Sequence, residues 1–301
     1  MSELFDKLIL RIVFTLFICG ILFLYKYAHL LFYPSSRFQL FKRFYPAKNA
    51  PSTIHLFSRI IGIGIIFSEF YFYMSDGIFM ALFDFLILSC TVSSIYLLGV
   101  YIVDSIVLYN FEYSDEVLKR KNYNYALITF AHAIGVATLL KKIVSVSNDS
   151  LIVLFFLWLF AIVLIGVTLK FYNYVSSLPV KRLMGQESLA MGFNYLGVFF
   201  GTTIIISSAL NHQLENIKWY IVQVILKILL SIIIFPFFKK GLIFIFKIQD
   251  ELKAKIKQDS AALLEVETGV GVFEGSVFFT ACFLTTIITG QIHFGTFYPI
   301  F

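Results

Sequence analysis

The chain has 301 residues, 59% of them hydrophobic and 14% charged, with a formal net charge of +6 and a mean hydropathy of +0.86. A soluble domain carries roughly a quarter of its residues as charges, and long continuous apolar runs of this kind exclude an ordinary water-soluble fold. The Lys and Arg residues sit in short connections between the runs, without a basic helix of interleaved aromatics, so no nucleic-acid partner is expected.

A hydrocarbon layer about 30 Å thick takes about 20 apolar residues per helix. Lipid cannot satisfy loose backbone groups, so each run is helical or belongs to a closed barrel. The runs here lack the short alternating segments of a barrel. The first covers residues 8–32. It carries Arg11, continues past Tyr25 and has no small-residue cleavage site, so it reads as a retained span and not a signal peptide. Further spans are expected over 54–73, 77–111, 125–144, 151–174, 188–210, 219–248 and 269–292. The third exceeds the membrane's need and must tilt or project. Pro236 lies inside the seventh and predicts a kink. Cys19, Cys90 and Cys282 all fall within apolar runs, with no CxxC and no metal-ligand spacing, so neither metal nor other cofactor is expected.

Charge alternates between the connections. Arg37, Lys42, Arg43 and Lys48 fill the first, Lys119, Arg120 and Lys121 the third, Lys181 and Arg182 the fifth, and Lys253, Lys255 and Lys257 the seventh. The other set is poor in bases. The basic set is expected in the cytoplasm, which puts both termini outside. The order of long, short and charged connections occurs twice. Residues 1–150 and 151–301 each read as four spans, and an even number of spans per half makes the repeat parallel. The expected fold is an all-α polytopic membrane bundle of about eight helices in two parallel four-helix repeats. Residues 248–267 space Ile248, Leu252 and Ile256 every four positions among charges, as in a cytoplasmic amphipathic helix able to meet a protein partner.

An ionisable group at a bilayer centre costs about 2.5–3.5 kcal/mol on insertion scales and must face protein or water. The candidates are Glu69, Asp84, Asp104, His132, Lys227 and Glu274, with Asn194 as a further polar intramembrane residue. Snorkelling at helix ends is expected to account for Arg11, Asp84 and Asp104. His132 and Glu274 occupy near-equivalent positions on the last span of each half, at similar depth, and form the sharpest constellation; an interhelical hydrogen bond is the expected role for His132. Gly197 and Gly201, and Gly271 and Gly275, are spaced for close helix packing.

The stretches SLAMGFNYLGVFFGTTIIISSAL (188–210) and ETGVGVFEGSVFFTACFLTTIITG (267–290) resemble the YjfL-like family of bacterial inner-membrane proteins, a domain of unknown function with about four spans that longer relatives carry twice. Ser188, Ala190, Gly197 and Gly201 stand at the family's polar, alanine and glycine positions of its second span. Gly269, Gly271, Glu274, Gly275 and Ala281 match its last span. In the first half Gly62 and Gly64 keep the small positions, whereas Arg59 and Glu69 depart from the pattern. The resemblance implies a bacterial inner-membrane location and association with membrane-stress proteins.

No GxSxG, HExxH, P-loop or kinase pattern is present, and an enzyme is not expected. Three functions remain: a homo-oligomeric pore or ion-permeation subunit with polar residues such as Glu274 and His132 along the path, a non-conducting anchor or scaffold for cytoplasmic partners, and a small-molecule transporter. A single interior proline argues least for the last. Membrane lipids are expected neighbours in all three.

Overall fold

The computed structural model describes residues 2–41, 48–70, 77–147, 150–175, 188–214, 216–246 and 268–292. Among them are eight helices long and apolar enough to cross a membrane. They are α1 (Ser2–Phe32), α2 (Ala50–Phe67), α3 (Ile78–Val107), α4 (Tyr123–Ser147), α5 (Leu151–Val175), α6 (Leu189–Ala209), α7 (Ile217–Ile245) and α8 (Thr268–Gly290). The amphipathic stretch expected over 248–267 lies outside the described residues, as do Lys181 and Arg182.

Polar caps place the helix starts. Asn49 accepts from Ser52 N at 3.0 Å, and Pro51 occupies the first turn, where its missing N–H has no partner to lose. Helix α2 therefore begins at Ala50, ahead of the apolar run itself. Asn216 does the same for α7, accepting from Lys218 N at 3.0 Å. Pro236 falls within α7, which continues through it as one helix from Ile217 to Ile245. Gly77, just before α3, has φ +93°, a backbone angle that a Cβ disfavours.

Helices α2, α4, α6 and α8 form the inner part of the bundle. Consecutive members of this set pack against each other, α6 on α8 and α2 on α4 most extensively, with α4 on α6 joining the two halves. Helices α4 and α6 are the most buried of the eight, and α1, α5 and α7 the least. In each half, then, the second and fourth helices build the interior.

Glycines set the closeness of these pairs. A Cβ on Gly197 would overlap the backbone of Gly275, and one on Gly271 the backbone oxygen of Ala190. Gly201 faces Cys282 and Phe278 across the same seam. In the first half the Tyr96 hydroxyl fills the space in front of Gly62 and donates to Ala133 O at 3.2 Å. The connection after α3 is not a plain loop. It contains a wide helical turn, Ser114–Lys119, whose Glu116 is buried and accepts from Asn122 Nδ2 at 2.7 Å.

Candidate functional site

Helix α4 is started by Asn122, whose side-chain oxygen accepts from Asn124 N and Tyr125 N. His132 follows roughly 14 Å along the axis at 1.5 Å per residue, and it is 0% exposed. Its Nδ1 lies 2.6 Å from Asp104 Oδ1 and its Nε2 lies 2.6 Å from the Tyr195 hydroxyl. The pattern fits the tautomer that donates from Nδ1 to the carboxylate and accepts from the phenol. Asp104 Oδ2 accepts from Arg59 Nη2 at 2.6 Å and from the Tyr33 hydroxyl at 2.9 Å. Arg59 Nη2 also donates to the Tyr33 oxygen at 3.0 Å, and Nη1 to His55 O at 2.7 Å.

Arg59 and Asp104 are 2% and 5% exposed. Their opposite charges cancel inside the bundle, which a buried pair requires if it is to persist. Asp104 is thus no headgroup-seeking residue at a helix end, contrary to the expectation from its position. The segment after α3 folds over that end with Leu108, Tyr113 and Val117 buried, so the carboxylate is shut off from the surface and pairs inward. Asp84 and Arg11, by contrast, are exposed.

A ring cluster seals the network on the side of α1. His29 Nδ1 lies 3.2 Å from the Tyr25 hydroxyl. His55 meets Tyr33 edge-on at 4.9 Å and Tyr113 at 4.6 Å between ring centroids. His55 is fully buried, and among the described residues neither ring nitrogen has a hydrogen-bond partner. Tyr33 and Tyr113 lie beyond the spans, and burial holds both phenols above their ordinary range, so they act as neutral hydroxyls.

In the second half Asn194 Nδ2 donates to Glu274 Oε2 in a short contact. Asn194 is buried and Glu274 half-buried. Asn194 and Tyr195 are neighbours on α6, so this helix supplies a partner to Glu274 of α8 and to His132 of α4. Of the residues singled out in the sequence, the structure gathers His132, Asn194 and Glu274 around α6. Glu69 is not among them. It follows the end of α2, 3.7 Å from Lys141 Nζ, near the opposite end of α4. A pair this exposed contributes at most about 1 kcal/mol. Lys227 lies apart on α7, 2% exposed and, among the described residues, without a hydrogen-bond partner at Nζ. Among the described residues no three His, Cys, Asp or Glu side chains are placed to hold a metal ion.

Arg59, Tyr33 and Tyr195 complete the site without having been expected in it, and Asp104, a candidate expected to reach headgroups, joins them. Arg59 stands out in the sequence as an unusual charge within an apolar run, and that was the available signal. The two tyrosines gave none, because nothing along the chain tells which group a buried phenol hydroxyl will meet.

The family model of the Domain of Unknown Function (DUF350) matches the chain twice, over residues 3–144 and 146–287. The chain belongs to that family and carries its domain in duplicate, in line with the resemblance and internal repeat read from the sequence. No curated protein and no solved structure matches it.

Proposed function

We propose that this duplicated DUF350 protein is an ion-permeation subunit of a bacterial inner membrane, and that the species moved along its interior is the proton. The observation that carries this reading is continuity. Tyr33, Arg59, Asp104, His132 and Tyr195 are joined by hydrogen bonds of 2.6 to 3.0 Å. Intramembrane ionisable chains of this kind are expensive and mark ion or proton paths. As Tyr195 takes a proton on its oxygen, its own proton passes to His132 Nε2, and the Nδ1 proton passes to Asp104 Oδ1. One proton has then moved from the Tyr195 side to the carboxylate, while Arg59 keeps its charge throughout.

In reconstituted liposomes the wild type is expected to carry proton flux well above empty vesicles. Tyr195→Phe keeps the ring and removes the hydroxyl; it is expected to reduce flux at least about tenfold, the scale of 1.4 kcal/mol in a barrier. Glu274→Gln is expected to alter ion selectivity in a planar bilayer while the protein still inserts. Wild-type vesicles no leakier than empty ones would end the permeation reading.

A second reading is favoured by where the chain of hydrogen bonds stops. Among the described residues it ends at Tyr195, and past His132 the buried α4 residues Val136, Leu139, Leu140 and Ile143 offer no further polar step. A network that ties helices together without crossing suits a non-conducting anchor, with cytoplasmic partners bound through 248–267. In that case Tyr195→Phe changes only stability.

The Lys and Arg balance supports an orientation with the connections after α1, α3, α5 and α7 in the cytoplasm and both termini outside. Tyr33 then marks the cytoplasmic end of the relay. A Ser114→Cys variant should resist a membrane-impermeant thiol reagent added outside, and ready labelling there would invert the orientation.

A further inference from the structure

The duplication supplies a template for how copies of the chain meet. In the first half a Cβ on Gly62 would come 3.2 Å from Ala133 O, and in the second a Cβ on Gly197 would overlap Gly275 O. These contacts set the register: Gly62 of α2 corresponds to Gly197 of α6, and Ala133 of α4 to Gly275 of α8. Counting along the helices then matches Arg59 to Asn194 and His132 to Glu274; Arg59 and His132 meet through Asp104, whereas Asn194 and Glu274 bond directly.

The same register compares the outer faces. The face of α6 that packs on α4 carries Gly192, Tyr195, Phe199 and Thr203, all buried. Their counterparts on α2 are Phe57, Ile60, Gly64 and Ser68. Phe57 is 48% exposed, Gly64 and Ser68 are exposed, and Ile60 is only partly covered. A Cβ on Gly64 would meet nothing within 4 Å. On the other side, the α4 residues that meet α6 are Leu127, His132 and Gly135. Their counterparts on α8 are Gly269, which is exposed, Glu274, which is partly exposed, and Val277, which is 7% exposed. Each half thus has both surfaces of one interface, and within a single chain only the α4 surface of the first half and the α6 surface of the second are joined.

We infer that the free surfaces bind each other between copies, α8 of one chain packing on α2 of the next as α4 packs on α6. The occupant of each face is a second copy of this chain, because the complementary surface is already used once within it. Each half contains an even number of spans, so the copies stand in the membrane with the same orientation. The contact is head-to-tail, and it produces a ring where the rotation closes and an open array where it does not. Glu274 becomes buried at this contact, as His132 is at the internal one. The interface stands independently of whether protons cross the relay.

A cross-link tests it. Within the chain, a Cβ on Gly192 would lie 3.2 Å from Leu127 Cβ, close to the separation a disulfide needs. The corresponding residues of two copies are Phe57 and Gly269. With Cys19, Cys90 and Cys282 replaced by alanine, the Phe57→Cys, Gly269→Cys double variant should give a ladder of dimers and larger species on mild oxidation in membranes. Neither single variant should cross-link. Absence of the ladder, or a dimer from Phe57→Cys alone, which signals a symmetric contact, would overturn the inference. As a second measurement, Gly64→Trp has room in the isolated chain but blocks the contact. Its protein mass in detergent should fall to that of one chain, 34.6 kDa. An oligomer that survives Gly64→Trp, or a wild type that is already a monomer, would equally refute it.

Discussion

Asp104→Ala should destabilise the bundle by about 3–5 kcal/mol, the usual loss when one member of a buried ion pair is removed. The reason lies in what remains. Arg59 would keep its charge at a site 2% exposed, left among the described residues with the Tyr33 hydroxyl and a backbone oxygen as acceptors. His132 would lose the acceptor for its Nδ1 proton at the same time. Removing both charges is a different case. Arg59→Met combined with Asp104→Leu replaces the pair by apolar side chains, and such replacements are often neutral or stabilising. The double variant should therefore recover most of the loss. Thermal unfolding in a mild detergent, with all four members of the mutant cycle, measures the coupling. If Asp104→Ala unfolds like the wild type, the carboxylate is not the counter-charge of Arg59 and the relay has no anchor.

The sequence showed the membrane spans and the duplication because both depend on local composition: run length, connection length and the recurrence of small residues. Helix ends were displaced where a polar cap outside the run decides them. Asn49 moves the start of α2 to Ala50, and Asn216 moves that of α7 to Ile217. Half of the candidate site was visible in the same way. His132 and Glu274 appear as equivalents once the repeat is seen, and Asn194 as a polar residue inside a span. The other half depends on tertiary structure. Asp104 lies one turn from the end of α3, where an acid normally reaches headgroups. It turns inward only because the segment after α3, with Tyr113 and Val117 buried, closes that end. Tyr33 and Tyr195 joined the network through one hydroxyl each, a feature that a hydropathy profile cannot register. The pairing of Arg59 with Asp104 spans α2 and α3, and no spacing along the chain encodes it.

The glycines of the α6–α8 seam should rank by what a methyl group would strike. Alanine at Gly197 places its Cβ 2.5 Å from Gly275 Cα and overlapping the adjacent oxygen; alanine at Gly271 does the same to the backbone of Ala190. Backbone atoms cannot rotate aside, so the helices must separate along their length. Overpacking costs typically about 1–3 kcal/mol, and these two variants should lie at or above the top of that range. At Gly275 the first obstacle is Phe193 O at 2.5 Å, again backbone. At Gly201 the nearest atom is Cys282 Sγ at 2.8 Å, the end of a side chain that can shift, so Gly201→Ala should cost about 1 kcal/mol. Gly64→Ala and Gly269→Ala meet nothing within 4 Å. They should be neutral or slightly stabilising, since alanine is preferred to glycine in a helix by up to about 1 kcal/mol. Unfolding temperatures for the six alanine variants under one detergent condition test the order directly. Equal losses at Gly197 and Gly64 would show that the seam tolerates a methyl group. The close approach of α6 and α8 would then not be what holds Asn194 against Glu274.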